Sequence, residues 1–172
     1  MAALPLFPDD RVDAIMRVMG RAFEPQFGEA WNRRQVSDAL ILGSSRHGLI
    51  AHDGTIGEGI GGEQHGATTA GFFLSRQILD DEELLLFAID RAWRRRGLGG
   101  QLLDHFCASA GERGVSRIFL EMRDGNPAAR LYESRGFYQV GKRPAYYRGS
   151  DGARHDALTF QRILGKHTHG AA

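Results

Sequence analysis

A run of arginines and glycines between Arg94 and Gly100, of sequence RRRGLGG, has the composition of a phosphate-binding turn. Guanidinium groups form charge-assisted hydrogen bonds with phosphate oxygens, and glycines let the backbone approach an anion closely. The run lies between an apolar stretch typical of a strand and an apolar stripe at helical spacing, where free N–H groups and the positive end of a helix dipole coincide. A pyrophosphate site is therefore predicted, with a solvated basic turn as the alternative.

Three other sequence patterns suggest different kinds of functional site, but the residues around them do not favour those sites. A P-loop requires Gly-Lys-Ser/Thr at its end, but Gly100 is followed by Gln101, so a site for ATP and magnesium is not predicted. Gly57–Gly62 matches G-x-G-x-x-G without an apolar strand before it or a helical stripe after it, which indicates a flexible loop. The single cysteine, Cys107, lies on an apolar helical stripe and is predicted to be buried and unreactive. No Cys/His spacing typical of zinc occurs, and no metal is predicted.

Length and charge limit the range of functions. The 172 residues suit a single domain over 1–165, with a disordered tail over 166–172. Twenty-two Lys and Arg balance 21 Asp and Glu, so no overall field favours nucleic acid or an anionic membrane as a partner. The N-terminus lacks a basic leader, and no apolar run has membrane-spanning length, so a cytoplasmic location is expected. A monomer and a homodimer both remain open.

Hydrophobic periodicity predicts the elements that must position the turn. Helices are predicted over 10–23, around 31–40, from Leu98 to Gly114, and from an Asn126 N-cap with Pro127 at the first position to Gly136. Strands are predicted over 47–52, 70–79, 83–89, 115–122, 137–140 and 156–160, and 53–68 is predicted to be a long glycine-rich loop. The pattern favours an α/β (α+β) fold with a mixed sheet layered with helices.

Three segments resemble a known enzyme family. Arg94–Gly99, preceded by the strand Leu84–Ile89, resembles the acetyl-CoA signature Q/R-x-x-G-x-G/A of the GNAT superfamily of N-acetyltransferases. Phe119–Arg123, Asn126 and Leu131–Phe137 resemble the L-E-V-R…N…L-Y-E-x-x-G-F block of the RimI-type ribosomal-protein alanine N-acetyltransferases, whose Y-Y…D-G…D-A ending is similar to the stretch 146–157. The resemblance is close over 84–158 and thin before it. Asn126 to Tyr132 is one residue shorter than in that family, and 53–68 looks like an insertion.

The resemblance implies a fold, a co-substrate and a set of site residues. The implied fold is GNAT-like, with a mostly antiparallel sheet in which two strands splay apart to bind acetyl-CoA. The coenzyme-binding residues implied are Phe87, Ala88, Ile89, Arg94, Arg95, Arg96, Gly97, Leu98, Gly99, Gly100 and Asn126. The family further implies Glu121 as general base, Tyr132 as the acid that protonates the departing thiolate, and Tyr146 and Tyr147 along the acceptor channel.

Each implied role has a structural alternative. Glu121 could be an exposed strand residue paired with Arg123 or a neighbour, Tyr132 a core aromatic, and the two adjacent tyrosines packing residues. The implied acceptor is the N-terminal α-amino group of a small-subunit ribosomal protein. A peptide α-amine has a pKa of about 7.7–8.0 against about 10.4 for lysine, so it demands little basicity of Glu121. A small-molecule amine or lysine acceptor, and a non-catalytic acyl-CoA-binding module, are the alternatives.

Overall fold

The computed structural model of the protein describes residues 9–58 and 69–165. Its helices are α1 (Asp9–Ala22), α2 (Arg33–Ile41), α3 (Leu98–Glu112) and α4 (Ala129–Ser134), with 3₁₀ turns at Pro25–Phe27 and Arg91–Trp93. Its strands are β1 (Ser45–Ala51), β2 (Ile56–Glu58), β3 (Thr69–Ile78), β4 (Asp81–Ile89), β5 (Arg117–Arg123), β6 (Tyr138–Arg148) and β7 (Arg154–Ile163). Apart from three differences given below, the helices and strands predicted from periodicity are confirmed. The tail 166–172 lies outside the described residues.

The strands form one sheet in the order β2-β1-β3-β4-β5-β7-β6. Every neighbouring pair is antiparallel except β4 and β5, which run parallel. The chain between these two parallel strands contains α3, as a crossover connection requires. The predicted mixed, mostly antiparallel sheet flanked by helices is therefore confirmed.

Two adjacent β3 residues illustrate how the sheet divides the core into two layers. Because successive side chains of a strand point to opposite faces, Phe72 packs with the α1 and α2 side and Phe73 with the α3 side. Ile15 and Met19, one helical turn apart on α1, are buried in the first layer. In the second layer the Phe106 ring lies 4.9 Å from that of Phe73. Burying one such side chain contributes about 1.5–3 kcal/mol, so both layers hold the sheet against its helices.

Local sequence signals set the ends of the helices. The Asn32 side chain accepts from the Gln35 N–H while the Gln35 side chain accepts from the Asn32 N–H, and this reciprocal capping box starts α2. Gly114 follows α3 with a φ of 83°, the left-handed conformation predicted for it. None of the helices in the described part of the chain has both the length and the apolar content needed to cross a membrane.

The predicted loop 53–68 was wrong over its first part, because β2 lies within it. A turn at Gly54, with a φ of 91°, reverses the chain so that β2 pairs antiparallel with β1 over three residues. A strand of three residues is too short to produce a readable alternation, which explains the difference. Of the pattern Gly57–Gly62, only Gly57 and Glu58 fall within the described residues, and both belong to β2.

The other two differences concern Asn126 and the last hairpin. Asn126 does not cap α4, which begins later at Ala129; its Oδ1 accepts the Ala128 N–H at 2.9 Å and so caps the turn before the helix. The strand predicted over 137–140 is instead the eleven-residue β6, which contains Pro144. Proline lacks the N–H that an inner strand needs, but β6 is an edge strand and tolerates it.

Candidate active site

The parallel strands β4 and β5 pair over only part of their length. Their register ends at the Leu84–Leu120 pair, although β4 continues to Ile89 and β5 to Arg123. The two strands therefore diverge beyond that pair. The backbone over 85–89 is not paired by β5, so that side of β4 can hydrogen-bond an extended ligand.

The first turn of α3 lies next to this gap. Gly97 precedes the helix with a φ of 81°, and no side chain caps the helix end. Unpaired N–H groups and the positive end of the helix dipole thus coincide at Leu98–Gly100, as an anion site requires. Two residues earlier, Arg95 also adopts a left-handed φ of 61°, which a non-glycine residue seldom does. A strained turn of this kind is typical of ligand-binding backbone.

Arg94 joins elements of the scaffold together. Its Nε donates to the Ile89 carbonyl at 3.0 Å, and its Nη2 donates to the Ala22 carbonyl at 2.9 Å. Partial burial lowers the pKa of its guanidinium. Arg94 therefore ties the end of β4 to the end of α1 at the wall of the gap.

The other two arginines of the run are exposed and differ in what they contact. The Arg96 guanidinium lies 4.7 Å from the centre of the Trp93 ring, in cation–π geometry. The Arg95 side chain makes no hydrogen bond or ion pair with any described residue. Of the three, Arg95 has the guanidinium that is most available to a phosphate.

A cavity of about 490 Å³ opens between the divergent strands and this turn, a volume within the usual range for small-ligand sites. Ten of the fifteen predicted site residues line it: Phe87, Ala88, Ile89, Arg94, Arg95, Gly97, Gly99, Gly100, Asn126 and Tyr132. The lining does not include Arg96, Leu98, Glu121, Tyr146 or Tyr147. The Leu98 side chain is 5% exposed and packs in the core, while its backbone N–H belongs to the uncapped start of α3.

Glu121, on β5, is held by an arginine from β6. Its Oε1 lies 3.0 Å from Nε of Arg143, and the Glu121 side chain is 17% exposed against 60% for Arg143. The structural alternative, an exposed Glu121 paired with Arg123 or a neighbour, agrees with the structure only in part. Glu121 pairs with a neighbouring arginine, but its side chain is mostly buried and Arg123 is directed to a different carboxylate. Oε2 of Glu121 accepts no hydrogen bond from any described residue.

Tyr132, on α4, has its ring in the core and lines the cavity. The ring contacts those of Phe87 and Phe137 edge to face, with centroids 6.1 and 5.7 Å apart. Its hydroxyl makes no hydrogen bond with any described residue. Burial raises the pKa of Tyr132, and the negative charge of Glu29 raises it further, so the hydroxyl is protonated at neutral pH.

Glu29, in the connection between α1 and α2, is a cavity-lining residue that the sequence reasoning missed. It accepts from Asn126 Nδ2 at 3.0 Å, and its Oε2 lies 3.5 Å from Arg123 Nε, an ion-pair distance without hydrogen-bond geometry. The Arg123 guanidinium also stacks 3.7 Å above the centre of the Phe27 ring. These contacts span more than ninety residues of sequence, so no local signal could have found them. Among the described residues, no group of three or more His, Cys, Asp or Glu side chains could hold a metal ion.

Tyr146 and Tyr147 lie on β6 with their rings edge to face, 5.1 Å apart. Tyr147 is half-buried, and Tyr146 is 49% exposed. Burial raises the pKa of Tyr147, and the charges of Glu29 and Glu121 raise it further. The carboxylates of Glu29 and Glu121 therefore both act electrostatically on the Tyr147 hydroxyl.

Two glycines let the α1–α2 connection touch the hairpin that carries Tyr147. A Cβ on Gly28, which has a φ of 67°, would lie 2.1 Å from the Arg148 carbonyl oxygen. A Cβ on Gly149 would lie 1.9 Å from the carbonyl oxygen of Gln26. The two segments therefore touch through their backbones. The contact residues Gly28 and Arg148 are the sequence neighbours of Glu29 and Tyr147.

The sequence is similar to those of known acetyltransferases. The sequence model of the Acetyltransferase (GNAT) domain matches residues 44–139. The ribosomal-protein-bS18-alanine N-acetyltransferase of Escherichia coli strain K12 is 41% identical over 90 residues, which are 52% of this chain and 60% of that protein. The enzyme of the same name from Haemophilus ducreyi is 35% identical over 88 residues, which are 51% of this chain and 61% of that protein. The matched part thus covers less than two thirds of these relatives.

Solved structures extend the likeness over nearly the whole chain. The ribosomal-protein-S18-alanine N-acetyltransferase from Escherichia coli superposes with a TM-score of 0.73 at 26% identity, covering 97% of this chain and 96% of that one. Ard1 from Thermoplasma volcanium gives a TM-score of 0.68 at 24% identity, covering 94% and 95%. The second likeness concerns the fold alone.

Proposed function

The chain belongs to the GNAT acetyltransferase family, and on that premise we propose that it transfers the acetyl group of acetyl-CoA to the N-terminal α-amino group of a protein. The observation that carries the proposal is the divergence of β4 from β5 after the Leu84–Leu120 pair, with the uncapped start of α3 beside it. The gap offers backbone to the amides of a pantetheine arm, and the helix end offers N–H groups to a pyrophosphate. The name of these relatives, a ribosomal-protein-alanine N-acetyltransferase, suggests the acceptor class, which we take to be an N-terminal alanine.

The residues around the cavity fit such a co-substrate. Gly97 and Gly99 leave the backbone uncovered at the helix start, and Arg95 supplies a free guanidinium for a phosphate oxygen. Asn126 already uses its Oδ1 on Ala128 and one Nδ2 hydrogen on Glu29, so at most one Nδ2 hydrogen is left for the coenzyme. Bound acetyl-CoA supplies the thioester that an amine attacks.

Proton transfer is assigned to two side chains. Glu121 accepts the proton that the attacking amine must lose, directly or through a water, with its free Oε2. Tyr132 donates its hydroxyl proton to the departing sulfur; burial favours the protonated form that this donation requires. Backbone N–H groups of 87–89 are the proposed donors to the carbonyl oxygen on which negative charge develops.

The acceptor test uses peptides and free-thiol release. A peptide with the N-terminal sequence of the ribosomal protein, beginning with alanine, should release thiol from acetyl-CoA, and mass spectrometry should locate the acetyl group on the α-amine. The matched control is the same peptide with a blocked N-terminus and one internal lysine. Thiol release at background with the first peptide, and above background with other amines, would contradict the N-terminal assignment.

A small-molecule amine or lysine acceptor is the second candidate, favoured by one observation. The family model begins at residue 44 and ends at 139, so neither Glu29 nor the tyrosine pair on β6 falls within it. The residues proposed for the acceptor side are thus those that the family match covers least. A screen of amines against the same thiol assay separates the two candidates. Tight acetyl-CoA binding with no transfer to any amine would instead support a non-catalytic acyl-CoA-binding module.

A further inference from the structure

The strand that carries Arg143 contains a bulge beside the candidate base. Between the Arg143–Ala157 and Tyr147–His155 pairs, β6 contributes three residues where β7 contributes one, Asp156. Such a bulge re-aims the side chains on either side of it. It also has a conformational cost, because the residue at its centre, Ala145, has a φ of 53°. Some interaction must therefore hold it in place.

Asp156 provides that interaction. Its Oδ1 accepts the Ala145 N–H at 2.8 Å, and its Oδ2 lies 3.0 Å from Lys142 Nζ. Its own carbonyl accepts the Asp124 N–H at 2.9 Å, which fixes it to the end of β5. The Ala145 hydrogen bond and then Lys142 lower the pKa of Asp156, so the carboxylate is ionised at neutral pH. One side chain thus joins the centre of the bulge, and Lys142 just before it, to the sheet.

The bulge in turn places Arg143 on Glu121. Because the Arg143 side chain is 60% exposed, packing does not hold it in position, and its direction depends on the strand that bears it. Its guanidinium lies 5.2 Å from the Tyr146 ring, the last residue of the bulge. The ion pair of its Nε with Glu121 Oε1 holds one side of the carboxylate and leaves Oε2 without a donor among the described residues. A continuous chain of contacts runs from Asp156 to the candidate base.

We propose that Asp156 is a positioning residue for acetyl transfer, which fixes the β6 bulge so that Arg143 orients the carboxylate of Glu121. The inference rests on the proposed role of Glu121 as general base. A purely structural role for Asp156 would change the stability of the hairpin and leave the chemical step unaltered. The positioning role and the purely structural role predict different values of kcat. They also predict different combined effects of substitutions at Asp156 and Arg143.

The test is a double-mutant cycle on the full-length protein with the acceptor peptide. Asp156→Ala and Arg143→Ala should each lower kcat by about tenfold, the size expected for a modest misplacement of a catalytic group. The double variant should be no slower than the slower single variant, because both changes interrupt one chain of contacts. Asp156→Asn keeps an oxygen for the Ala145 N–H and should recover most of the lost kcat. Affinity for acetyl-CoA, measured by calorimetry, should stay within about twofold throughout.

Asp151 supplies the matched control. Its Oδ1 accepts the Ala153 N–H at 2.9 Å in the next turn of the hairpin, without contacting Arg143. Asp151→Ala should keep the wild-type kcat. Wild-type kcat in Arg143→Ala, or losses that multiply in the double variant, would overturn the proposal, and the exposed Arg143 gives that answer even if Asp156→Ala does not fold. A wild-type protein that releases no thiol with any amine would refute the proposed function itself, before any variant is made.

Discussion

Replacing Tyr132 by phenylalanine separates its two possible roles, because the structure gives the ring and the hydroxyl different surroundings. The ring is 6% exposed and packs between two phenylalanines, whereas the hydroxyl bonds to no described residue. Phenylalanine keeps the packing, so the free energy of unfolding should change by no more than about 0.5 kcal/mol. Truncation to alanine would cost about 3–5 kcal/mol. Loss of a general acid should lower kcat by about 10²-fold, equivalent to about 2.7 kcal/mol in the barrier.

The assay is thiol release at saturating acetyl-CoA, beside a thermal melt of the same samples. Tyr138→Phe is the matched control. It removes an exposed tyrosine hydroxyl that accepts from Gln161 on the paired strand β7, and it should keep wild-type kcat. Burial raises the pKa of Tyr132, so its acid form should persist to about pH 10, the ordinary value for tyrosine, without an alkaline loss of rate from this group. Wild-type turnover in Tyr132→Phe would refute the acid role and leave a packing residue.

Three further outcomes are expected. Glu121→Gln should lower kcat by about 10²-fold and leave the calorimetric Kd for acetyl-CoA nearly unchanged; a normal kcat would remove the base assignment. Arg95→Ala should weaken acetyl-CoA binding by about tenfold, with the difference shrinking as salt rises, whereas equal binding would show that its free guanidinium meets no phosphate. Burial raises the pKa of Cys107 to about 11, so alkylation of the folded protein should be slow at pH 8 and accelerate towards that value. Because the pKa of Cys107 is higher in the folded state, its contribution to the free energy of unfolding is complete below about pH 8.5, the ordinary thiol pKa, and is lost as the pH rises through about 11. Rapid alkylation at pH 8 would contradict the burial of this thiol.

The parts of the fold that the sequence predicted are those fixed by local patterns. The stripe of α3, the hairpin of β3 and β4, and the glycine turn at Gly97 each depend on residues within a few positions of one another. The second half of β6 could not be predicted, since the bulge around Ala145 interrupts the alternation and proline argues against a strand. It forms because β7 supplies a partner and Asp156 holds the irregular residues.

The candidate site shows the same division between local and distant information. The turn from Arg94 to Gly100 is contiguous, so its composition alone indicates an anion site. The partner of Glu121 depends instead on which arginine the folded sheet brings near. Arg123 is two residues away on the same face of β5, but its guanidinium lies at Glu29 and over the Phe27 ring, and Arg143 from a later strand pairs with Glu121 instead. Which ion-pair partner a charged side chain finds is set by tertiary packing and cannot be read from the spacing of residues in the sequence.

The contacts of Gly28 with Arg148 and of Gly149 with Gln26 make two missing side chains a determinant of how closely two segments of the chain approach. Even one methyl group at either position would push the two segments apart, because the obstacle is main chain and cannot rotate away. The distance between the segment beside Glu29 and the hairpin beside Tyr147 is thus set by side chains that the sequence lacks. At these two glycines the closeness of the two segments is therefore controlled by steric bulk alone, without any charged group.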